Sequence, residues 1–281
     1  MEVAYTVAQL EAAVERYRSE GKRIGLVPTM GYLHDGHLSL IDICKQHIDA
    51  VIVSIFVNPI QFGPNEDLDA YPRNLEQDLR LCEERGVGLV FCPKPLDVYS
   101  PHHSTYVVEG EASLGLCGKS RPGHFKGVLT VCCKLFNLTR CEVAVFGQKD
   151  AQQVTLIDKM VYELNIPVKI LRGQTQRDAD GLAMSSRNAY LTDNERVIAP
   201  TLQKALQRGR TLIVDEGETD VDTVMRQMLA VIDVFSEIRL DYLEIVDRKT
   251  LKPATIAEPG KLLLAGAMYL GKTRLIDNLE V

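Results

Sequence analysis

Short apolar runs alternate along the chain with stretches whose apolar residues recur at helical spacing. Ile24–Val27, Ala50–Val57, Val87–Phe91, Glu142–Phe146 and Pro167–Leu171 are short, rich in branched residues and bounded by polar punctuation, which is the pattern of buried strands. Between them lie helical patterns such as Leu40, Ile41 and Cys44, and the run Val128–Leu138. Asn74 with Gln77 has capping-box spacing and opens a helix that Gly86 closes; Thr192 with Glu195 opens another. This alternation predicts an α/β fold, a mostly parallel sheet wrapped by helices on both faces. The first residues, MEVAYTVAQLEAAVERYRSEG, read as one amphipathic helix with Leu10, Ala13, Val14 and Tyr17 on a common face. After about residue 175 the pattern changes. A polar stretch, GQTQRDADG, precedes Leu182–Asn188, helices are predicted near 193–211 and 219–235, and strand-like runs at Leu240–Val246 and Leu262–Tyr269 finish the chain. The expected organisation is a first domain over residues 1–175, a hinge near 172–180, and a smaller α+β domain over 176–281.

Composition narrows the class. At 281 residues, 46% hydrophobic and 25% charged, the chain has the make-up of a globular protein with a full core. A net charge of −6 gives no global reason to bind nucleic acid, so an anionic substrate needs a local positive pocket. No run approaches the roughly 18 apolar residues of a membrane span, which points to a cytoplasmic protein without a membrane partner. Seven cysteines is an odd number without a C-x-x-C pair. Cys44, Cys82, Cys132, Cys133 and Cys141 sit among apolar neighbours, as reduced, buried thiols do.

Candidate chemistry lies where the predicted strands end. Pro28-Thr29-Met30-Gly31-Tyr32-Leu33-His34-Asp35-Gly36-His37 follows the first strand and leads into a helix. Two histidines three residues apart would set imidazole donors beside the open N–H groups of a helix start, a site for phosphate. A metal site is the competing reading of His-x-x-His. Three features favour phosphate: glycines permit close backbone approach, no Cys/His group nearby completes a zinc set, and open α/β sheets bind ligands beyond the carboxyl ends of strands. Asn58-Pro59-Ile60-Gln61-Phe62 follows the second strand; its amides can hold hydroxyls and a carboxylate, or form an ordinary polar loop. Gly123-His124-Phe125-Lys126-Gly127 is either a second anion site or a plain helix cap. In Gly147-Gln148-Lys149-Asp150 the glycine admits a ligand, Lys149 offers a charge to phosphate and Asp150 an acceptor to ribose, with Gln153 one helical turn on. Ser185-Ser186-Arg187-Asn188 offers two hydroxyls and a guanidinium fork to phosphate oxygens.

These segments occur together and in order. PTMGYLHDGH, SIFVNPIQF, EDLDAYPR, RPGHFKGV, FGQKDAQQ, DGLAMSSRN and TRLIDN closely resemble the pantothenate synthetase (pantoate–β-alanine ligase) family, a branch of the nucleotidyltransferases related in fold to class I aminoacyl-tRNA synthetases. The resemblance implies a Rossmann-like parallel-sheet nucleotidyltransferase domain followed by a smaller α+β lid domain. It implies ligation of (R)-pantoate to β-alanine with ATP through a pantoyl adenylate, releasing pyrophosphate and then AMP, with Mg²⁺ accompanying ATP. By the same resemblance, Met30, Gly31, Tyr32, Leu33, His34, Asp35, Gly36 and His37 bind ATP, with His34 and His37 on its phosphates and His37 at the leaving pyrophosphate. Gly147, Gln148, Lys149 and Asp150 are nucleotide ligands, Lys149 on phosphate and Asp150 at the ribose. Met184, Ser185, Ser186 and Arg187 form the ATP lid, Gln176 contacts adenine through its backbone, and Gln61, Gln153 and Asn58 hold pantoate, Gln61 also bordering β-alanine. No residue is expected to be a metal ligand. His34, His37, Lys149 and Arg187 carry the chemistry, in a homodimer. The family more often has Glu at the place of Gln148 and a small apolar residue at that of Gln176. The competing classes are a cytidylyltransferase, a metal-dependent hydrolase using His34, His37 and His124, and a non-catalytic nucleotide sensor.

Overall fold

The computed structural model describes residues 1–64 and 66–281, which fall into two compact units. The first unit comprises Met1–Glu109, Gly123–Gln148 and Gln153–Gln174, and the second Gly110–Pro122, Lys149–Gln152 and Thr175–Val281.

The first unit is built on a six-stranded parallel sheet of β1 (Glu2–Ala4), β2 (Ile24–Thr29), β3 (Ala50–Ile55), β4 (Leu89–Phe91), β5 (Val143–Gly147) and β6 (Lys169–Gly173), in the order β1-β4-β3-β2-β5-β6. Helices α1 (Val7–Ser19), α2 (Asp35–Lys45), α3 (Leu75–Glu84), α4 (Pro95–Val98), α6 (His124–Thr139) and most of α7 (Ala151–Glu163) belong to it; α5 (Leu116–Ser120) belongs to the second unit. The central strands are buried along their length, so they read as continuous apolar runs. From β2 the chain steps to β3 and β4 on one side, then returns to β5 and β6 on the other. The order therefore reverses around β2, where open α/β sheets form their ligand crevice.

Glycines set how closely α2 lies on this sheet. A Cβ at Gly25 would stand 2.4 Å from Cys44 Sγ, and one at Gly173 would stand 2.2 Å from a Leu40 methyl. Both contacts hold α2, and with it the chain at its start, against β2 and β6.

The second unit carries an antiparallel sheet of β7 (Ile238–Asp247), β8 (Leu262–Leu270) and β9 (Thr273–Glu280), ordered β7-β8-β9. Helices α8 (Asp193–Ile198), α9 (Thr201–Arg210) and α10 (Val221–Ile232) accompany it, and Leu202, Leu206, Met228, Leu264 and Leu275 share one core.

Several elements differ from expectation. The N-terminal helix does not begin at the first residue: Glu2–Ala4 form β1 beside β4, and Thr6 caps α1 through a capping box with Gln9. Leu10, Ala13, Val14 and Tyr17 are its buried face. Strand β2 runs on through Pro28 and Thr29; pairing with β5 stops at Leu26, and Pro28, which has no N–H, lies beyond it. The helix expected over 193–211 is broken at Ala199–Pro200 into α8 and α9, because the proline ring cannot continue the first helix. Asn74 caps α3 by accepting from the Gln77 N–H. The chain ends not with β8 but with a further strand, β9, in which Asp277 and Asn278, on opposite faces, are both buried, so the alternation a strand should show is hidden.

Candidate active site

Within the first unit, β3, β2 and β5 are neighbouring parallel strands, so Asn58–Gln61, Met30–His37 and Gly147–Gln148 lie at carboxyl ends on the same side of the sheet. After β2, Gly31 (φ 81°) and Tyr32 (φ 52°) turn the chain into α2 through two consecutive left-handed residues. That turn is held by Asp78 of α3. Its carboxylate accepts from the N–H groups of Tyr32 (2.8 Å) and Leu33 (2.7 Å). Asp78 is 1% exposed, and burial raises its pKa against the lowering effect of the two backbone donors. Nothing in the sequence marked Asp78, because its partners lie 45 and 46 residues away.

At the start of α2 the two histidines cap the helix themselves. His34 Nδ1 accepts from the Gly36 N–H at 3.1 Å, His37 Nδ1 accepts from the His34 N–H at 3.3 Å, and the ring centroids are 4.1 Å apart. The His37 N–H donates to the His34 carbonyl at 2.8 Å. The Gly36 and His37 amides at the helix start are thus engaged within the cap. With Nδ1 as acceptor, the proton of each neutral ring sits on Nε2, so the donor each ring can offer is Nε2–H.

After β3, Asn58 and Gln61 are 1% and 8% exposed, too buried for an ordinary polar loop. Tyr99 O–H donates to Asn58 Oδ1 (2.8 Å), and Asn58 Nδ2 donates to Gln61 Oε1 (3.0 Å) and to the Gly127 carbonyl (3.1 Å). Gln61 Nε2 donates to Met30 Sδ at 3.1 Å. The chain of bonds fixes both amides: Asn58 spends its oxygen on Tyr99, which leaves its NH₂ for Gln61 and turns the Gln61 NH₂ toward Met30. Burial pushes the Tyr99 phenol further above its ordinary value, so it stays a donor. The Gly123–Gly127 segment serves this turn. His124 Nδ1 lies 2.8 Å from the Gln61 carbonyl, which makes it a donor there, and a Cβ at Gly127 would meet the Ile60 carbonyl at 2.5 Å. The Lys126 ammonium lies 3.6 Å from the centre of the Tyr106 ring, a cation–π contact.

After β5, Gly147 and Gln148 close the strand, and Gln148 Oε1 accepts from Arg172 Nη1 at 3.4 Å. Gln153 is half-buried on α7; its neighbour Gln152 is instead a buried brace, bonded to the Ala112 and Gly115 carbonyls and the Cys117 N–H.

The second unit holds Lys149, Asp150, Gln176 and Met184–Arg187. Gln176 and Met184 are paired, the Met184 N–H donating to the Gln176 carbonyl at 2.9 Å. Ser185 caps a 3-10 turn, Ser186–Tyr190, by accepting from the Arg187 N–H, and Ser186 is buried. Among the described residues no three His, Cys, Asp or Glu side chains gather as a metal-binding set.

The family model described as Pantoate-beta-alanine ligase matches residues 2–280. The chain belongs to the pantoate–β-alanine ligase family. Pantothenate synthetase of Fervidobacterium nodosum is 48% identical over 281 residues, covering 100% of this chain and 99% of the relative, and that of Carboxydothermus hydrogenoformans is 50% identical over 273 residues, 97% and 96% of the two chains. Among solved structures, pantothenate synthetase from Thermus thermophilus superposes with a TM-score of 0.94 at 42% identity, covering 100% of this chain and 99% of that one. Pantoate–β-alanine ligase from Francisella tularensis, complexed with beta-gamma ATP and β-alanine, gives 0.82 at 34% identity, with 100% and 97% covered. Pantoate–β-alanine ligases are enzymes of pantothenate biosynthesis, and the α/β fold with its Rossmann-like parallel sheet and small antiparallel sheet is theirs. The matches support neither a cytidylyltransferase nor a hydrolase.

Proposed function

We propose that this ligase works in two steps with ATP as co-substrate, the co-substrate taken over from the nucleotide in the Francisella tularensis complex. The pantoate carboxylate attacks the α-phosphorus, giving pantoyl adenylate and releasing pyrophosphate. The β-alanine amine then attacks the acyl carbon, forming the amide and releasing AMP and a proton. The first step sets an anion against a polyanion, so its rate depends on positioning and on donors aimed at developing charge.

The observation that carries the reading is the pair of histidines at the head of α2, each with Nδ1 engaged by the helix backbone and Nε2 left as the protonated nitrogen. In this proposal Met30–His37 bind ATP, and His34 and His37 stabilise its phosphates, His37 at the departing pyrophosphate. Gly147, Gln148, Lys149 and Asp150 take nucleotide, Lys149 at a phosphate and Asp150 at the ribose. Gln176 lies at the base, and Met184, Ser185, Ser186 and Arg187, in the smaller domain over 176–281, bind phosphate as a lid. Gln61 and Gln153 hold pantoate, with Asn58 orienting Gln61. Mg²⁺ would neutralise phosphate charge, held by phosphate oxygens and water, a manner of binding that asks for no protein cage. We also propose a homodimer acting in the cytoplasm; among the described residues no helix is long and apolar enough to cross a membrane.

Isotope exchange tests the order of steps. Labelled pyrophosphate should enter ATP when pantoate is present and β-alanine is absent. Exchange that needs β-alanine, or that runs without pantoate, would overturn the two-step reading.

A further inference from the structure

The TRLIDN stretch has no part in the chemistry proposed above, yet its Asp277 and Asn278 are buried and hydrogen-bonded. It forms most of β9, which among the described residues pairs with β8 alone. Successive strand residues face opposite ways. Leu275 and Leu279 pack into the core of this unit, and Asp277 shares their face at 5% exposure. A carboxylate at such a place costs desolvation that a leucine would avoid, so stability alone does not account for it.

Its partners suggest what does. Arg177 grips Asp277 with both arms, Nη1 to Oδ2 at 2.6 Å and Nη2 to Oδ1 at 2.9 Å, and Nη1 also reaches the Gly181 carbonyl at 3.0 Å. Arg177 lies in the turn that runs from Gln176 to Met184, which is closed by the bridge between Arg177 and Ala183 and by the bond from the Asp178 N–H to the Leu182 carbonyl at 2.9 Å. Arg196 of α8 binds Asp178 and Asp180 on the same turn. On the opposite face of β9, Asn278 is also 5% exposed, and its Nδ2 donates to the Lys149 carbonyl at 2.8 Å. The Asn278 backbone N–H in turn donates to Asp277 Oδ1 at 2.8 Å.

We infer that Asp277 and Asn278 are positioning residues for adenylation. Asn278 fixes the backbone from which the Lys149 side chain springs, and Asp277, through Arg177, fixes the turn that leads into Met184–Arg187. The inference rests on the phosphate roles proposed for Lys149 and Arg187.

Pantoate-dependent ATP–pyrophosphate exchange, read beside thermal denaturation, tests it. Asn278→Ala should lower kcat/KM for ATP by about ten-fold or more, since small misplacements of a reacting group cost that much, while KM for pantoate stays within about two-fold. Because Asn278 acts through Lys149, the Lys149→Ala/Asn278→Ala double variant should be no slower than Lys149→Ala, within about two-fold. Asp277→Asn should show the same non-additivity with Arg187→Ala. Losses that multiply in the double variants, or a pantoate KM that rises in step with a falling Tm, would reduce both residues to structural supports and overturn the inference. A normal Lys149→Ala enzyme would overturn the phosphate role and the inference with it, whereas an impaired Lys149→Ala beside a normal Asn278→Ala overturns the inference alone. Should Asn278→Ala not fold, Asn278→Asp keeps the volume, removes the donor and is held to the same outcomes.

Discussion

At the scale of single residues, the proposed site depends on groups given one structural and one chemical task. His37 both accepts the His34 N–H and, in the proposed role, offers Nε2–H to pyrophosphate. The two tasks can be separated. Asn places an acceptor close to where Nδ1 sits but nothing at Nε2. His37→Asn should keep the helix cap and the Tm, whereas His37→Ala should also lose about 0.5–2 kcal/mol of stability. Both should slow adenylation by roughly two to three orders of magnitude, the usual loss for one preorganised donor. Exchange rates and melting curves of the two variants check this, and a normal rate in either would remove His37 from the chemistry. Asp78 poses the opposite case, a charge kept in a buried place to hold a loop. Its pKa is raised, so in the acidic range between the ordinary carboxylate value of 3.8 and the raised one the folded protein binds the extra proton. Its contribution to stability therefore falls as pH rises through that range and is level above it. Asp78→Asn should remove this slope. It should also leave one of the Tyr32 and Leu33 N–H groups facing an NH₂, at a cost of about 1–3 kcal/mol to the loop conformation. ATP-dependent exchange should suffer more than pantoate binding. Denaturant titrations at several acidic pH values show whether the slope is lost, and a variant with the parent's pH profile would contradict the argument.

At the scale of elements, close packing decides where the amides stand. Helix α6 approaches the 3-10 turn Pro59–Gln61 so nearly that a Cβ on Gly127 would meet the Ile60 carbonyl at 2.5 Å and the Gln61 nitrogen at 2.6 Å. Those are backbone atoms, which cannot swing aside as a side chain end would. Gly127→Ala should therefore move the turn, cost about 1–3 kcal/mol of stability, and raise KM for pantoate with little change in KM for ATP. Steady-state kinetics in each substrate would expose the contrast; equal changes in both would mean that the turn does not govern pantoate. The sequence shows such elements unevenly. Strands β2 to β5 are legible because buried parallel strands must be apolar throughout, whereas β6, an edge strand with Lys169 and Arg172 exposed, shows only through its apolar Ile170 and Leu171. Strand β1 is three residues long and adjoins a strongly periodic helix, so the helical pattern masks it. Strand β9 is hidden because Asp277 and Asn278, on opposite faces, are both buried against partners that only the fold supplies. The same holds at the site. His34, His37, Gln61 and Lys149 stand in short motifs that carry their own meaning, while Asp78 and Tyr99 act across 41 to 46 residues of chain and leave no local mark.

At the scale of the whole molecule, the thiols report on the cores. All seven cysteines are free, Cys44, Cys82, Cys92, Cys132, Cys133 and Cys141 in the first unit and Cys117 in the second. Reaction with a disulfide reagent requires the thiolate and a path to it. Burial pushes Cys44, Cys82, Cys92, Cys132 and Cys141 up to about 12, so at mildly alkaline pH each is almost wholly protonated, and all of them but the half-buried Cys92 are shielded as well. Cys133 is half-buried, and a bond from Asn137 and the charge of Lys134 offset part of its upward shift. Ellman's reagent added to the native protein should therefore label Cys133 first. The four buried thiols among the strongly shifted ones, Cys44, Cys82, Cys132 and Cys141, should wait for the openings that expose the core, so their labelling rate should rise with denaturant in parallel with the equilibrium between open and closed forms. Peptide mapping after partial labelling identifies which thiol reacts, and full denaturation should release all seven. Rapid labelling of Cys44 or Cys141 without denaturant would contradict this order, because Cys44 on α2 and Cys141 just before β5 are almost wholly inaccessible.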